Sequence, residues 1–534
     1  MMRVGLYVQN VWDEQGLKKE FERTIKTAAD SSLDLLVFPE HAWCPGAEDY
    51  EKIDLEKDGN DKICAVLERV VGSIAKKAKC SVIFNRALDD GRIMSTFVGA
   101  GLVRCYYKHI ATTISPFDFT DYDENFLHAG EYDAIDTGSY KLGMTTCYDS
   151  TNPLLNRIWG LQDVDLIANS TGGHVDYKKW TYYQKTRAIE NNCFTVCTMA
   201  YYDADKKNSS YAMGFDPWGR PIQFENATGK IRNGREFPEK PGELYVATLD
   251  LSLRKTPPKL GTVDEYIDQT PSINKQQDLF LDPEAVDKEL QSCRNLSPGL
   301  YVKTMKELNV VYVVVEGRDI YRPELIQPMF YADELKDMPN KRYVLINRWS
   351  NLGKSEYECF LSNIIRVRAA ENYCACLLTS DSVVQCYQVG RNKNSQVVAL
   401  SKQGFGIDLS RTSGPEAIWQ TKAVGVRAEW RVNYEKMVQF CREKAGNLSD
   451  INGGGIAANA VPDSENSGAE KNESKVEVKA IKKTVRSKKP KINSAERYNG
   501  AESYAAQSPR NTGLFVKVAA GAIGLVLAIV LFLR

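Results

Sequence analysis

The sequence predicts an α/β fold for its first half, because strand-like and helix-like segments alternate there. Apolar runs typical of buried strands include RVGLYVQN, LDLLVFPE and CSVIFN. The segments between them, GLKKEFERTIKTAADS and DKICAVLERVVGSIAKKAK, have helical periodicity. GRIMSTFVGAGLVRCYYKH is typical of a hairpin-like pair of strands. This alternation favours a sheet with helices on its face.

Length, composition and charge limit the classes of protein and partner that the sequence allows. The chain has 534 residues, enough for two or three domains, and its 43% apolar and 26% charged residues are ordinary for a globular protein. The formal net charge is zero, so no nucleic-acid partner is predicted. None of the four histidines has metal-site spacing, so we predict no metal and no cofactor. The 13 cysteines lack disulfide-framework spacing and the N-terminus resembles a strand, which predicts free thiols in a reducing compartment.

Two segments share a pattern that predicts an incomplete duplication. VDLIANS and YVLINRW each begin a strand–loop–helix–strand unit. Both units carry R-A-x-E-N before a cysteine-containing strand, at Arg187–Asn191 and Arg368–Asn372. Chance similarity between two strand–helix–strand units is the alternative. We therefore predict one domain at 1–255 and a degenerate partial repeat at 256–445.

The remaining residues predict a linker and a membrane anchor. Residues 446–512 are polar, so we predict a disordered linker, and its basic stretch KAIKKTVRSKKPK is either an anionic-lipid contact or a solvated charge run. Residues 513–533 predict a transmembrane helix, since about 20 apolar residues span a bilayer; a buried core helix is the alternative. Basic residues precede the apolar run, which predicts a single-pass tail anchor with the bulk of the chain cytoplasmic.

Three predicted strands end in residues that can carry chemistry. Glu40 follows LDLLVFP, Lys108 follows RCYY, and Cys147 follows LGMTT. The carboxyl ends of strands are where α/β sheets place ligands, and a cysteine nucleophile needs a base or a cation close by. Each residue also has an ordinary interpretation: a small buried side chain for the cysteine, a strand end or helix cap for the glutamate, and a surface charge for the lysine.

Taken in order, these motifs resemble those of the nitrilase superfamily, the carbon-nitrogen hydrolases. VFPEHAW is similar to the strand with the general-base glutamate, and YYKHI to the lysine stretch. LGMTTCYDSTNPLLNRIWGLQDVDLIANS resembles the nucleophile segment, while KTRAIENNCFTVC and GFDPWGRPI match later motifs. The resemblance covers residues 1 to about 255. It implies an αββα sandwich.

The resemblance also implies roles for individual residues. These are Cys147 as nucleophile, Glu40 as general base, Lys108 as oxyanion stabiliser and the backbone N–H of Tyr148 as a second oxyanion donor. Glu124 is the candidate for a second active-site glutamate, although Ala129-Gly130 stands where the family has Pro-Gly.

The implied function is thiol-dependent hydrolysis of a non-peptide carbon-nitrogen bond in a small amide, nitrile or carbamoyl substrate. Two alternatives stay open: an N-acyltransferase that uses the same thioester, and a catalytically silent membrane scaffold. The repeat itself is predicted to be silent, because VVVEGRD, around Val315 to Asp319, has no cysteine where the first copy has GMTTCYD. Relatives commonly pair through helices beyond the nucleophile. We therefore expect either a homodimer or a repeat that covers that surface.

Overall fold

The structure is a computed structural model, in which the chain divides into two compact units, Met1–Asp463 and Ser464–Arg534. All residues described below belong to the first unit. We call residues 1–254 the first lobe and residues 279–415 the second lobe. The structure describes residues 1–8, 27–40, 75–87, 93–109, 132–172, 177–199, 212–225, 231–232, 235–236, 243–254, 279–281, 286–350, 352, 361–380, 384–389, 395–398 and 405–415.

The first sheet of the first lobe has six strands in the order β13-β1-β2-β3-β4-β5. Strands β1, β2 and β3 are parallel, and the other neighbours are antiparallel. Its strands are β1 (Met2–Val8), β2 (Leu35–Val37), β3 (Ser81–Ala87), β4 (Ile93–Gly99), β5 (Leu102–Tyr107) and β13 (Glu243–Leu249).

The second sheet has five strands in the order β10-β9-β8-β7-β6, with β7, β8 and β9 parallel. Helices α1 (Pro153–Gly160) and α2 (Tyr177–Asn191) connect its parallel strands. Its strands are β6 (Ile135–Asp136), β7 (Lys141–Thr146), β8 (Leu166–Thr171), β9 (Phe194–Met199) and β10 (Ala212–Phe215). A separate small ribbon consists of β11 (Ile231–Arg232) and β12 (Arg235–Glu236).

The two sheets pack face to face because side chains alternate along each strand. Leu35 and Val37 belong to the core cluster shared with the second sheet, whereas Leu36 lies in a second cluster on the opposite face. That second cluster contains Ala28 and Ala75, from the helical stretches 27–30 and 75–78. The result is helix, sheet, sheet and helix in successive layers.

The second lobe repeats the second sheet and extends it to seven strands, in the order β15-β16-β17-β18-β19-β20-β21. Strands β17, β18 and β19 are parallel, as β7, β8 and β9 are. The strands are β15 (Arg294–Ser297), β16 (Leu300–Met305), β17 (Leu308–Glu316), β18 (Lys341–Arg348), β19 (Ala375–Thr379), β20 (Val384–Val389) and β21 (Ser395–Val398). Its helices are α3 (Val286–Gln291), α4 (Pro323–Phe330) and α5 (Ser362–Asn372).

One face of this seven-stranded sheet is covered by elements of the second lobe itself. Helix α3 and the ribbon of β14 (Leu279–Leu281) with β22 (Phe405–Ile407) share a core cluster with it. On the other face, α4 and α5 turn toward the first lobe, where α5 packs on α2 and α4 on α1. Ile189 and Trp218 of the first lobe are buried in a separate core cluster on this other face, together with side chains of α4 and α5.

The mixed α/β sheets are consistent with the predicted nitrilase-like fold, and the predicted strand pair is confirmed as β4 and β5. The predicted boundaries near 255 and 445 and the linker at 446–512 lie outside the described residues and stay predictions. The same holds for the transmembrane segment at 513–533. Within the described part of the chain, no helix is long and apolar enough to cross a membrane.

Candidate active site

The topology brings the ends of three strands to one edge of the sandwich. Strand β5 follows two antiparallel steps from β3, so it runs in the same direction as β2 and β3. Glu40, shortly after β2, and Lys108, directly after β5, therefore leave the first sheet at the same edge. Cys147 directly follows β7 of the second sheet, and all three side chains are buried.

Glu40 forms charge-assisted hydrogen bonds that link the segment after β2 to the ends of β5 and β8. Its Oε1 accepts a 2.6 Å hydrogen bond from Nζ of Lys108, and both side chains are at most 3% exposed. Its Oε2 accepts a 2.7 Å hydrogen bond from the backbone N–H of Gly172, which follows β8. Glu40 also forms a side-chain hydrogen bond with the thiol of Cys147, and this bond raises the pKa of the thiol. The structure thus brings together the predicted Glu40, Lys108 and Cys147.

Cys147 lies at a sharp turn. It has φ of +48°, a left-handed conformation that is costly for a residue other than glycine, and it opens the 3-10 helix Cys147–Thr151. Helix α1 follows at once, with Pro153 in its first turn. The side chain of Asn152 caps helix α1 by accepting hydrogen bonds from the N–H groups of Leu154 at 2.8 Å and Leu155 at 3.2 Å. The backbone N–H of Tyr148, predicted as an oxyanion donor, belongs to this turn.

Cross-sheet hydrogen bonds hold the two sheets together beside the site. Oγ of Ser95, on β4, lies 2.8 Å from Oγ1 of Thr146, the residue before Cys147. Oγ of Ser170, on β8, donates to the carbonyl of Phe38 at 2.7 Å, close to Glu40. These contacts fix the distance between the segments that carry the candidate base and nucleophile.

Charge and burial set the protonation of the site. Burial raises the pKa of Cys147 well above its ordinary value; the Glu40 carboxylate raises it further, while Lys108 lowers it. Burial alone would lower the pKa of Lys108, but the carboxylates of Glu40 and Asp149 and the nearby Cys147 outweigh it and raise that pKa. The resting site therefore holds an ammonium group and a neutral thiol.

Asp149 is a buried acidic residue of this site that sequence reasoning missed. It accepts a 2.8 Å hydrogen bond from the hydroxyl of Tyr106 and a 3.2 Å bond from the backbone N–H of His109. These bonds join the turn to the end of β5, which carries Lys108. The only sequence signal was its position two residues after the cysteine.

The remaining features are the second glutamate, a metal site and a cavity. Glu124 lies outside the described residues. Among those described, no group of three or more His, Cys, Asp or Glu could hold a metal ion. A cavity of about 460 Å³ is lined by Asp34, Ser81 and Tyr140, at the amino ends of β2, β3 and β7. It is therefore on the opposite edge from Cys147.

Comparison with known proteins finds one family model that matches part of the chain. Residues 3–232 match the model of the carbon-nitrogen hydrolase family. No curated protein matches the chain. Similar solved structures include an amidase from Nesterenkonia sp., at 17% identity and TM-score 0.33, over 48% of this chain and 92% of that one. Another is a carbon-nitrogen hydrolase from Helicobacter pylori G27, at 16% identity and TM-score 0.34, over 48% and 91%. Residues 3–232, less than half of the chain, are thus similar to the carbon-nitrogen hydrolases.

Proposed function

We propose that the protein hydrolyses a small amide or nitrile through a covalent intermediate on Cys147. One observation carries the proposal: a glutamate, a lysine and a cysteine from three strand ends meet in a buried site, with Glu40 and Lys108 2.6 Å apart. A carboxylate beside a thiol can act as the general base that activates a cysteine nucleophile. A cysteine buried only for packing would need neither charged partner.

For an amide, the proposed reaction has two halves. Glu40 accepts the thiol proton as the sulfur attacks the carbonyl carbon, and the oxyanion that forms is stabilised by Lys108 and by the N–H of Tyr148. Glu40 then returns the proton to the leaving nitrogen, and a thioester remains on Cys147. In the second half Glu40 takes a proton from water, the hydroxide attacks the thioester, and the thiolate leaves and regains its proton.

The test separates the three roles. We expect the native protein to release ammonia from a member of an amide and nitrile library, and intact-mass spectrometry to show an acyl adduct. Cys147→Ala removes the nucleophile, so it should show neither. Glu40→Gln should lower kcat by about 10²-fold or more, as loss of a general base does. Lys108→Met should lower kcat by about 10²–10³-fold, as loss of an oxyanion donor does.

The same assay also tests a control variant and the two alternative functions, acyl transfer and a silent scaffold. Cys105→Ala, at a half-buried thiol on β5, should keep full activity. An adduct that persists in Cys147→Ala would contradict the assignment of the nucleophile. Release of an N-acylated product when an amine is added would instead favour the acyltransferase, and a native protein without any adduct would favour the silent scaffold.

A further inference from the structure

Four buried charges form a closed ring between the two lobes. Arg187 and Glu190 lie on α2, and Arg368 and Glu371 lie on α5; their side chains are at most 1% exposed. Arg187 donates to Glu190 at 2.5 Å and to Glu371 at 2.9 Å. Arg368 donates to Glu190 at 2.7 Å and also to Glu371. These are the residues of the repeated R-A-x-E-N motif, so the two copies of the motif meet each other.

The ring needs both lobes to be complete. Each carboxylate uses one oxygen for an arginine of its own helix and the other for an arginine of the opposite helix. Two guanidinium and two carboxylate groups then leave no net charge in a site without solvent. A buried charge is tolerated only when it is paired and hydrogen-bonded. Without the second lobe, Arg187 and Glu190 would each lose a partner.

The ring also contacts the turn that carries the nucleophile. Nε of Arg187 donates to the carbonyl of Ser150 at 2.8 Å, and its Nη2 donates to the carbonyl of Thr151 at 3.2 Å. That same Nη2 donates to Glu371 of the second lobe. One nitrogen thus joins the last residue of the Cys147–Thr151 turn to a carboxylate of the degenerate repeat.

The second lobe keeps this arrangement although its cysteine is missing. Its 3-10 helix Gly317–Tyr321 occupies the place of Cys147–Thr151, and Gly317 has the same φ of +48° as Cys147. Nε of Arg368 donates to the carbonyl of Ile320 at 3.0 Å, as Arg187 does to Ser150. The repeat therefore retains the parts that hold a turn, and lacks the part that would react.

We propose that Glu371 of the second lobe is a positioning residue for the active site of the first: through Arg187 it fixes the turn that presents Cys147 and the Tyr148 N–H. This inference rests on the proposed function for its effect on rate. The Glu371 side chain is buried and paired with two arginines, so we expect substrate binding to be little affected. A displacement of about 1 Å at the reacting atoms can cost about 10²-fold in rate.

The test compares three variants of the full chain. Glu371→Gln removes one charge and leaves the ring with an unbalanced guanidinium, which opposes folding. Arg368→Gln/Glu371→Gln keeps the ring neutral and still removes the carboxylate from Arg187. Asn363→Ala is the matched control: Asn363 joins α5 to α2 by donating to Tyr182 and Thr186, without contact to the turn.

We expect each folded Glu371 variant to lose at least about tenfold in kcat with KM within about threefold, and the control to keep its kcat. Hydrogen exchange of the amides of residues 147–152 should be faster in the Glu371 variants, while exchange in β1 is unchanged. A neutral double variant with native kcat and native exchange would overturn the proposal, as would faster exchange throughout the first lobe.

Exchange also separates this inference from the proposed function. If the native protein turns over no amide or nitrile, the function fails, and exchange at residues 147–152 alone decides the positioning role. Faster exchange there in both Glu371 variants, with none in Asn363→Ala, supports the inference in that case. Native exchange in either folded Glu371 variant contradicts it.

Discussion

Lys108 and Cys147 share one buried site, yet each holds its proton for a different reason. The thiol keeps its proton mainly because burial disfavours a thiolate, whereas the ammonium keeps its proton because carboxylates outweigh the burial. In the reaction we propose, a substrate with an electrophilic carbon changes this balance, since the proton then moves to Glu40 as the sulfur forms a bond. Under this proposal the thiol stays protonated at rest and loses its proton only during the reaction.

The pKa values of other buried thiols predict how the free energy of unfolding depends on pH. Burial raises the pKa of Cys80, Cys193 and Cys197 to about 12, from an ordinary 9.0. Between pH 9 and 12 these thiols ionise in the unfolded chain but stay protonated in the folded one, so the free energy of unfolding falls as pH rises. The slope is up to about 1.4 kcal/mol per pH unit for each thiol.

Urea unfolding of the native protein at a series of pH values from 8 to about 11 checks this expectation. Cys197→Ala should reduce the slope by up to about 1.4 kcal/mol per pH unit. Val196→Ala, at a neighbouring buried position on β9, should lower stability without changing the slope. A slope that is the same in both variants would contradict the role given to the thiol.

The sequence could identify individual site residues more readily than their connections. Glu40, Lys108 and Cys147 were predicted because each ends a strand within a motif that resembles the family's. Asp149 was missed, although it is close to Cys147 in sequence, because its bonds to Tyr106 and His109 exist only after β5 and β7 pack. Arg187 was noticed as part of a repeat, but no pattern shows that its partner is Glu371.

At the scale of elements, β7 with its turn and β17 with its turn are two forms of one unit. Asn169 of β8 donates to the carbonyl of Cys147 at 3.4 Å, and Asn347 of β18 donates to the carbonyl of Gly317 at 2.9 Å. The predicted correspondence of VVVEGRD with GMTTCYD agrees with this geometry. What differs is the neighbouring layer: the second lobe packs β14, β22 and α3 on the face where the first lobe has its six-stranded sheet.

This difference predicts that a cysteine alone cannot restore chemistry to the second lobe. A Cβ added at Gly317 meets no atom within 4 Å, so Gly317→Cys has room for its side chain. We expect Cys147→Ala/Gly317→Cys to stay inactive and to form no acyl adduct, because the described part of the second lobe has no strands that correspond to β2 and β5. Intact-mass spectrometry checks this, with Gly317→Ala as the control for backbone strain. An adduct at residue 317 would show that a lone cysteine suffices.

The faces of these elements were harder to predict than their order. The strand–loop–helix–strand pattern predicts a helix at KTRAIENN and at VRAAENYC, but both helices bury charged side chains, so neither has a clear apolar face. Sequence patterns assign the buried face from apolar residues. From sequence alone, a helix whose buried face carries arginine and glutamate is therefore predicted to be exposed. Its burial is recognised only when the helix that packs against it is known.

For the whole molecule, the second lobe covers helices α1 and α2, where the family resemblance led us to expect pairing. Helices α2 and α5 pack against each other around the charge ring, and Arg157 of α1 donates to Glu324 of α4 at 3.0 Å. A homodimer stays a prediction, and it would have to use another surface of the chain. We infer that the degenerate repeat supplies within one chain what a second copy would otherwise supply.

The apolar segment at 513–533 determines where we expect this molecule to act. KAIKKTVRSKKPK, Arg510 and Lys517 precede its apolar core, and Arg534 follows it. Positive charge is enriched in cytoplasmic segments beside membrane helices. We therefore propose a single-pass anchor with both lobes on the cytoplasmic side. The polar residues 446–512, if unfolded, would let the lobes reach tens of Å from the bilayer, about 40–50 Å for a flexible chain of this length.

Deletion of residues 513–534 tests the anchor and the topology together. The full chain should sediment with membranes and resist extraction by carbonate, whereas the shortened chain should remain in the supernatant with unchanged kcat, because the site is built from residues 40–172. Protease added to sealed vesicles whose cytoplasmic face is inside should leave both lobes intact, and detergent should make them accessible. Deletion of only 470–490 is the control for charge, since it removes basic residues and keeps the apolar segment. Digestion of the lobes in sealed vesicles would mean that the orientation is reversed, and a full chain that stays soluble would mean that the segment is no anchor.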